Sequence, residues 1–172
     1  MSASTARGRA WVFGDNVDTD ALAPGLYMKR PIEELATHCL ETVNPNFSET
    51  VAVGDFVVGG RNFGMGSSRE QAAQALKYLG VTAVIAQSFA GIFYRNALNL
   101  GLPVVVSQQA QHIIDQDQLR LDLGAGILEN LTQAKTVDFE AIPPHLLTMV
   151  SDGGLVPHLE KRFKRTKGTG SQ

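Results

Sequence analysis

Arg69–Val106 reads REQAAQALKYLGVTAVIAQSFAGIFYRNALNLGLPVVV, and its pattern decides the fold. Ala72, Ala73, Leu76 and Leu79 fall on one side of a helix over 69–79, and Gly80 stops it. Val81–Ala86 (VTAVIA) is a continuous apolar, β-branched run, the composition of a strand buried on both faces. Phe89–Leu100 reads as another helix, closed by Gly101, and Leu102–Val106 as another buried strand. Helix, strand, helix, strand with short connections predicts an α/β layered core.

Upstream, Phe56-Val57-Val58 is a strand ended by Gly59-Gly60. Ala10–Phe13 (AWVF) is a second, breaking at the turn composition Gly14-Asp15-Asn16. Residues 15–31 carry Pro and Gly but no sustained period, as a long functional loop does. Pro31 suits a first helical position, and Ile32, Leu35, Ala36, Cys39 and Val43 recur at helical spacing. An amphipathic helix is expected over 31–43, with Cys39 on its buried side and His38 on its surface. Downstream, 108–116 reads as a helix, and Leu119–Leu123 and Lys135–Phe139 alternate as half-exposed strands of an antiparallel addition. Pro143–Val150 is a short helix before Gly153-Gly154. With no repeat and no linker, a single domain spans 10–163, residues 1–9 are loose and the tail 164–172 is disordered.

The whole chain of 172 residues suits one domain able to bury a core unaided. Its formal net charge of −2 offers no basic footprint for nucleic acid. No apolar run approaches a membrane span, and the first residues lack a signal-peptide core, so an intracellular, cytoplasmic home is expected. The single cysteine, Cys39, forms no internal disulfide and cannot hold zinc or an iron–sulfur cluster alone. His38, His112, His145 and His158 are scattered and make no metal constellation.

Chemistry concentrates in GRNFGMGSSREQA, residues 60–72. Its glycines miss the dinucleotide fingerprint, where Arg69 takes the third glycine's place, and miss the phosphate loop at Met65. They still let backbone amides approach a ligand, and the helix N-terminus that follows favours an anion. Arg69 adds a planar fork suited to a carboxylate. Ser68 with Gln71, or Ser67 with Glu70, matches a capping box, and only one serine can cap. The other is either a bystander or a group with chemistry to do. Asp15, Asp18 and Asp20 lack the spacing of a calcium loop and read equally as loop carboxylates bound to their own backbone or as members of a site. Arg95 and Asn96 on the 89–100 helix read as a hydrogen-bonded network behind a site or as a solvated face. No nucleophile-elbow motif is present, so hydrolysis is not indicated.

Three segments occurring in order, GDNVDTDALAPGLY (14–27), GRNFGMGSSREQA (60–72) and SFAGIFYRNALNLGLP (88–103), carry a specific resemblance. Over roughly residues 9–165 the chain resembles the small subunits of the 3-isopropylmalate dehydratase and homoaconitase family, themselves similar to the mobile C-terminal domain of aconitase. The resemblance implies an α/β fold, a swivelling β/β/α three-layer domain. It implies a hydro-lyase that moves a hydroxyl between adjacent carbons of a malate-type di- or tricarboxylate. A large partner subunit, in a heterodimer or heterotetramer, would carry the [4Fe–4S] cluster. Ser67 matches the base that removes the carbon-bound proton, and Ser68 and Arg69 match carboxylate-binding residues. Lys29 and Arg30, in the segment Tyr27–Arg30, match the loop that reads the variable region of the substrate, where a cation suits an extra carboxylate. Asp18, Asp20, Asn62 and Arg95 are expected to support this site. Met65 and Gly91 depart from the family, where cysteine and arginine are common.

Overall fold

The chain's computed structural model describes residues 5–169. Four short strands, β1 (Ala6–Val12), β2 (Phe56–Val58), β3 (Ala83–Ala86) and β4 (Val104–Val106), run parallel. Their registers set Ala10 beside Phe56, Phe56 beside Ala83 and Val84 beside Val104. Three more strands, β5 (Gln118–Asp122), β6 (Ile127–Asn130) and β7 (Lys135–Thr136), follow antiparallel. The seven strands are ordered β4-β3-β2-β1-β5-β6-β7. β1 joins the parallel and antiparallel regions: Ala10–Val12 pair with β2, whereas Ala6–Arg9 pair antiparallel with β5.

Alternation along the parallel strands gives them two buried faces. Trp11, Val57, Val84 and Val104 point into a core shared with Leu35, Leu76, Ala97 and Leu98 of the helices. Ala10, Phe56, Val58, Ile85 and Val105 point the other way, onto Leu119, Leu121, Leu128 and Val137 of the antiparallel arm. The arm therefore lies over the face of the parallel strands opposite the helices. These are the three layers, β on β on α, that the resemblance implies.

The helical layer is built from α1 (Thr19–Leu22), α2 (Ile32–Leu35), α3 (Phe47–Thr50), α4 (Gln71–Tyr78), α5 (Gly91–Asn99), α6 (Pro144–Ser151) and α7 (Leu155–Thr169). α4 buries Ala72, Ala73, Ala75 and Leu76, close to the face read from the sequence, and α5 buries Phe93, Ala97 and Leu98.

Several expectations are corrected. The helix over 31–43 does not form: α2 has four residues and passes into a 3-10 turn at Ala36–His38. Leu40 then adopts φ +61° and donates its N–H to Ala21 O at 2.8 Å, so the chain turns back onto the 15–31 loop. Cys39 is buried as expected, but Val43 is 55% exposed. Residues 108–116 form only a 3-10 turn at Gln108–His112. Residues 6–9 are not loose, because β5 offers them a pairing edge. Residues 164–169 are helical, continuing α7 through a run of Lys, Arg and Thr. Residues 1–4 and 170–172, also expected to be loose, lie outside the described residues. No helix among the described residues is long and apolar enough to cross a membrane.

Candidate functional site

Parallel strands present all their carboxyl ends at one edge, and ligands of open α/β sheets bind there. The three diagnostic segments each leave such an end: 14–27 follows β1, 60–72 follows β2 and 88–103 follows β3. The loops are sewn together by their backbones. Gly64 N–H donates to Val17 O at 2.7 Å, Thr19 N–H to Met65 O at 2.8 Å, Phe63 N–H to Ser88 O at 3.0 Å and Ala90 N–H to Phe63 O at 2.9 Å. Gly64 has φ +82°, and a side chain there would sit 2.2 Å from the Phe93 ring. Only glycine lets the loop lie that close to α5.

This sewing decides what the serines do. α4 starts at Gln71 with Glu70 at its N-cap and no side-chain cap bond, so neither capping box forms. The bonds from Gly64 and Thr19 hold the loop over α1 instead of letting it curl onto the axis of α4. Ser67 N–H donates to Thr19 Oγ1 at 3.1 Å, and Ser67 Oγ lies 3.1 Å from the same oxygen. Ser67 and Ser68 are both exposed. The hydroxyl of Ser68 and the backbone N–H groups of Ser68 and Arg69 have no hydrogen bond among the described residues.

Arg69 is half-buried and points back to α1, donating Nη1 to Asp20 Oδ1 at 2.9 Å and to Ala23 O at 3.1 Å. Asp20 Oδ1 also accepts Gly25 N–H at 3.0 Å. The Arg69 guanidinium, then the Gly25 amide, hold the Asp20 carboxyl below its ordinary range, so it stays charged and keeps Arg69 in place. Nη2 and Nε of Arg69 remain available for an anion. Asp18 Oδ1 caps α1 by accepting Ala21 N–H at 2.7 Å, and Asp15 Oδ1 accepts Arg61 N–H at 2.7 Å. All three aspartates thus bind backbone amides, and Asp20 in addition orients Arg69. Asn62, at φ +57°, donates Nδ2 to Asn16 Oδ1 at 3.2 Å and its backbone N–H to Ser88 Oγ at 2.9 Å, tying all three loops together.

The other expected residues stand apart. Lys29 is exposed with no ion pair among the described residues, and Arg30 reaches only Glu34, 3.9 Å away. Arg95 lies on the exposed side of α5, and its side chain has no hydrogen bond or ion pair among the described residues. Two features carried no motif and were missed. Thr19 is one, a lone hydroxyl inside a polar loop. The other is the stack of Tyr27 on His38, with ring centroids 3.5 Å apart and planes within 3°. His38 is therefore no idle surface residue, since its Nδ1 also lies 2.7 Å from Glu41 Oε2.

The donor set does not fit a metal centre. No group of three or more His, Cys, Asp or Glu able to hold a metal occurs among the described residues. Cys39 is fully buried, and burial pushes its thiol up, away from the thiolate that an iron–sulfur ligand must be.

The family model of the aconitase C-terminal domain matches residues 44–109, which include the serine loop. The chain is similar to 3-isopropylmalate dehydratase small subunit 1 of Thermotoga maritima, 48% identical over 157 residues, 90% of this chain and 95% of that one. It is 49% identical to the methanogen homoaconitase small subunit of Methanothermobacter thermautotrophicus over 156 residues, 90% of this chain and 91% of that one. The crystal structure of 3-isopropylmalate dehydratase from Methanocaldococcus jannaschii matches with a TM-score of 0.92 at 43% identity, covering 97% of this chain and 100% of that chain.

Proposed function

Because this chain belongs to the small subunits of the 3-isopropylmalate dehydratase and homoaconitase family, we propose that it supplies half of a hydro-lyase active site to a large subunit. The observation that carries this reading is the exposed pair Ser67 and Ser68 at the carboxyl ends of the parallel strands. Its loop is rigidly tied, and the half-buried Arg69 beside it keeps donors free. A pre-positioned but uncovered site is what one side of an interface supplies.

In this reading Ser67 Oγ takes the carbon-bound proton of a malate-type acid. A serine hydroxyl is a weak base, so it must act as its anion. The backbone N–H groups of Ser68 and Arg69 and the Arg69 charge stabilise that anion. Ser68 Oγ and the free Nη2 and Nε of Arg69 hold a substrate carboxylate. Asp20 keeps the guanidinium aimed, and Asp18 and Asn62 fix the loops. The described residues offer no ligand set for a [4Fe–4S] cluster, so in this reading the large subunit would hold it and it would supply Lewis-acid chemistry. The substrate is 3-isopropylmalate, in line with the names of the relatives from Thermotoga maritima and Methanocaldococcus jannaschii, and the role is a step of leucine biosynthesis in the cytoplasm.

One observation favours a second reading. Lys29 is an exposed cation without an ion pair among the described residues, at the end of the loop expected to meet the variable region of the substrate. It suits the extra carboxylate of homoaconitate. Reconstitution with the large subunit, assayed on 3-isopropylmalate, homoaconitate and 2,3-dimethylmalate, decides between the readings. Ser67→Ala is expected to lower turnover at least about 10²-fold, the scale of a lost positioned base, while still co-eluting with the large subunit. Near-normal turnover would remove Ser67 from the chemistry.

A further inference from the structure

Thr19 is 3% exposed, in the first turn of α1, and its backbone N–H is committed to Met65 O at 2.8 Å. Its Oγ1 accepts Ser67 N–H at 3.1 Å and lies 3.1 Å from Ser67 Oγ. A threonine hydroxyl has one hydrogen and two lone pairs. If Ser67 donated to it, Oγ1 would accept twice and its own hydrogen would be buried without an acceptor, at appreciable cost. If Thr19 donates, its hydrogen is satisfied and Ser67 keeps its own hydrogen for the open surface. Among the described residues Ser67 Oγ is the only bonded partner of Thr19 Oγ1 able to accept its hydrogen.

We infer that Thr19 donates its hydroxyl hydrogen to Ser67 Oγ and is the positioning residue for the base. It fixes the serine rotamer, aims the remaining lone pairs outward and supplies a buried donor to the anionic oxygen. The inference rests on the reading of Ser67 as the base. Thr19 suits this role on two counts. Its branched Cβ is stiff at χ1. Gly66, at φ +108°, keeps the approach open, since a side chain there would come within 3.0 Å of Thr19 Oγ1. The charged groups around Ser67 are engaged elsewhere or point to solvent: Asp18 on the Ala21 amide, Asp20 and Arg69 on each other, and Glu70 exposed at the start of α4. The bonded partner of Ser67 Oγ is therefore a neutral hydroxyl.

The test uses the enzyme reconstituted with its large subunit and the variants Thr19→Val, Thr19→Ser and Ser67→Ala. Thr19→Val keeps the shape and removes the donor. It is expected to lower kcat about 10²-fold, the effect of losing one donor to a developing anion, with KM within about threefold. The rise of kcat/KM with pH should move to higher pH, and Thr19→Ser should restore kcat to within about tenfold of the parent. In the chain alone, hydrogen exchange at the Ser67 amide should be faster in Thr19→Val and near parental in Thr19→Ser. Should Thr19→Val fail to assemble, Thr19→Ala is read by the same criteria. An inactive Ser67→Ala beside a Thr19→Val within threefold of the parent would overturn this inference and leave Ser67 as the base. So would a Thr19→Ser no better than Thr19→Val, or an unchanged Ser67 amide. A fully active Ser67→Ala would overturn both.

Discussion

Arg69 and Asp20 divide one job between them. In the proposed reading the arginine needs a fixed direction to present a flat fork to a carboxylate, and the aspartate supplies it from α1 through a 2.9 Å bond. Because Arg69 holds the Asp20 carboxyl below its usual range, that bond is intact at every pH where the enzyme is assayed. The anchor is lost only in acid, as pH falls through the lowered value. Asp20→Asn is expected to raise KM about three- to fivefold, the scale of one exposed charge pair, with kcat nearly unchanged. Steady-state kinetics between about pH 6 and 9 would check this, and the KM of the parent should stay flat over that range, well above the carboxylate's titration. The candidate loop was legible because its Gly-Ser-Ser-Arg run is unusual. What the serines bond to was not, because a capping box is a statement about neighbours in sequence, whereas Ser67 takes its partner from a residue 48 positions away.

At the level of elements, the parallel strands and α4 and α5 could be read from apolar runs and helical spacing, since burial on known faces fixes both. Short pieces could not. α1, α2 and α3 have four residues each, too few to show a period, and they stand because tertiary bonds hold them. β6 has only four residues, Ile127–Asn130, too few to show a firm alternation, and only the folded arm reveals its pairing with β5 and β7. The loop from 15 to 31 hides a small scaffold of its own. Its 3-10 turn at Gly25–Tyr27 is fastened by the Tyr27–His38 stack to the turn after α2. His38→Ala should lower stability by about 1 kcal/mol, within the range of an aromatic pair, while His38→Phe should not. If the loop reads the substrate, His38→Ala should also raise KM more than it lowers kcat. Urea denaturation and kinetics on the same preparations would check both.

Over the whole molecule, β1 is the strand on which the layers depend, and Asp55 secures it from the loop before β2. Burial pushes the Asp55 carboxyl up, but donors from Trp11 Nε1, the Ala52 and Arg9 amides and the Arg9 guanidinium outweigh it and hold the group below its ordinary range. The contribution is therefore complete above the unfolded-state value of about 3.9 and is lost as pH falls through the folded one. Asp55→Asn should destabilise the chain by about 2 kcal/mol at neutral pH, since an amide cannot serve these donors as a carboxylate does. The gap to the parent should narrow below about pH 4, where the parent's own carboxyl takes up a proton. Urea unfolding at both pH values would check it. The direction of β1 has a practical side as well. It enters the fold at Ala6 and delivers Val12 to the serine edge, about 20 Å further on at the usual rise per residue. A fusion partner joined at the amino-terminal side starts from the end of β1 remote from the serine edge, so the strand serves as a built-in spacer between such cargo and the face that the proposed reading gives to the large subunit.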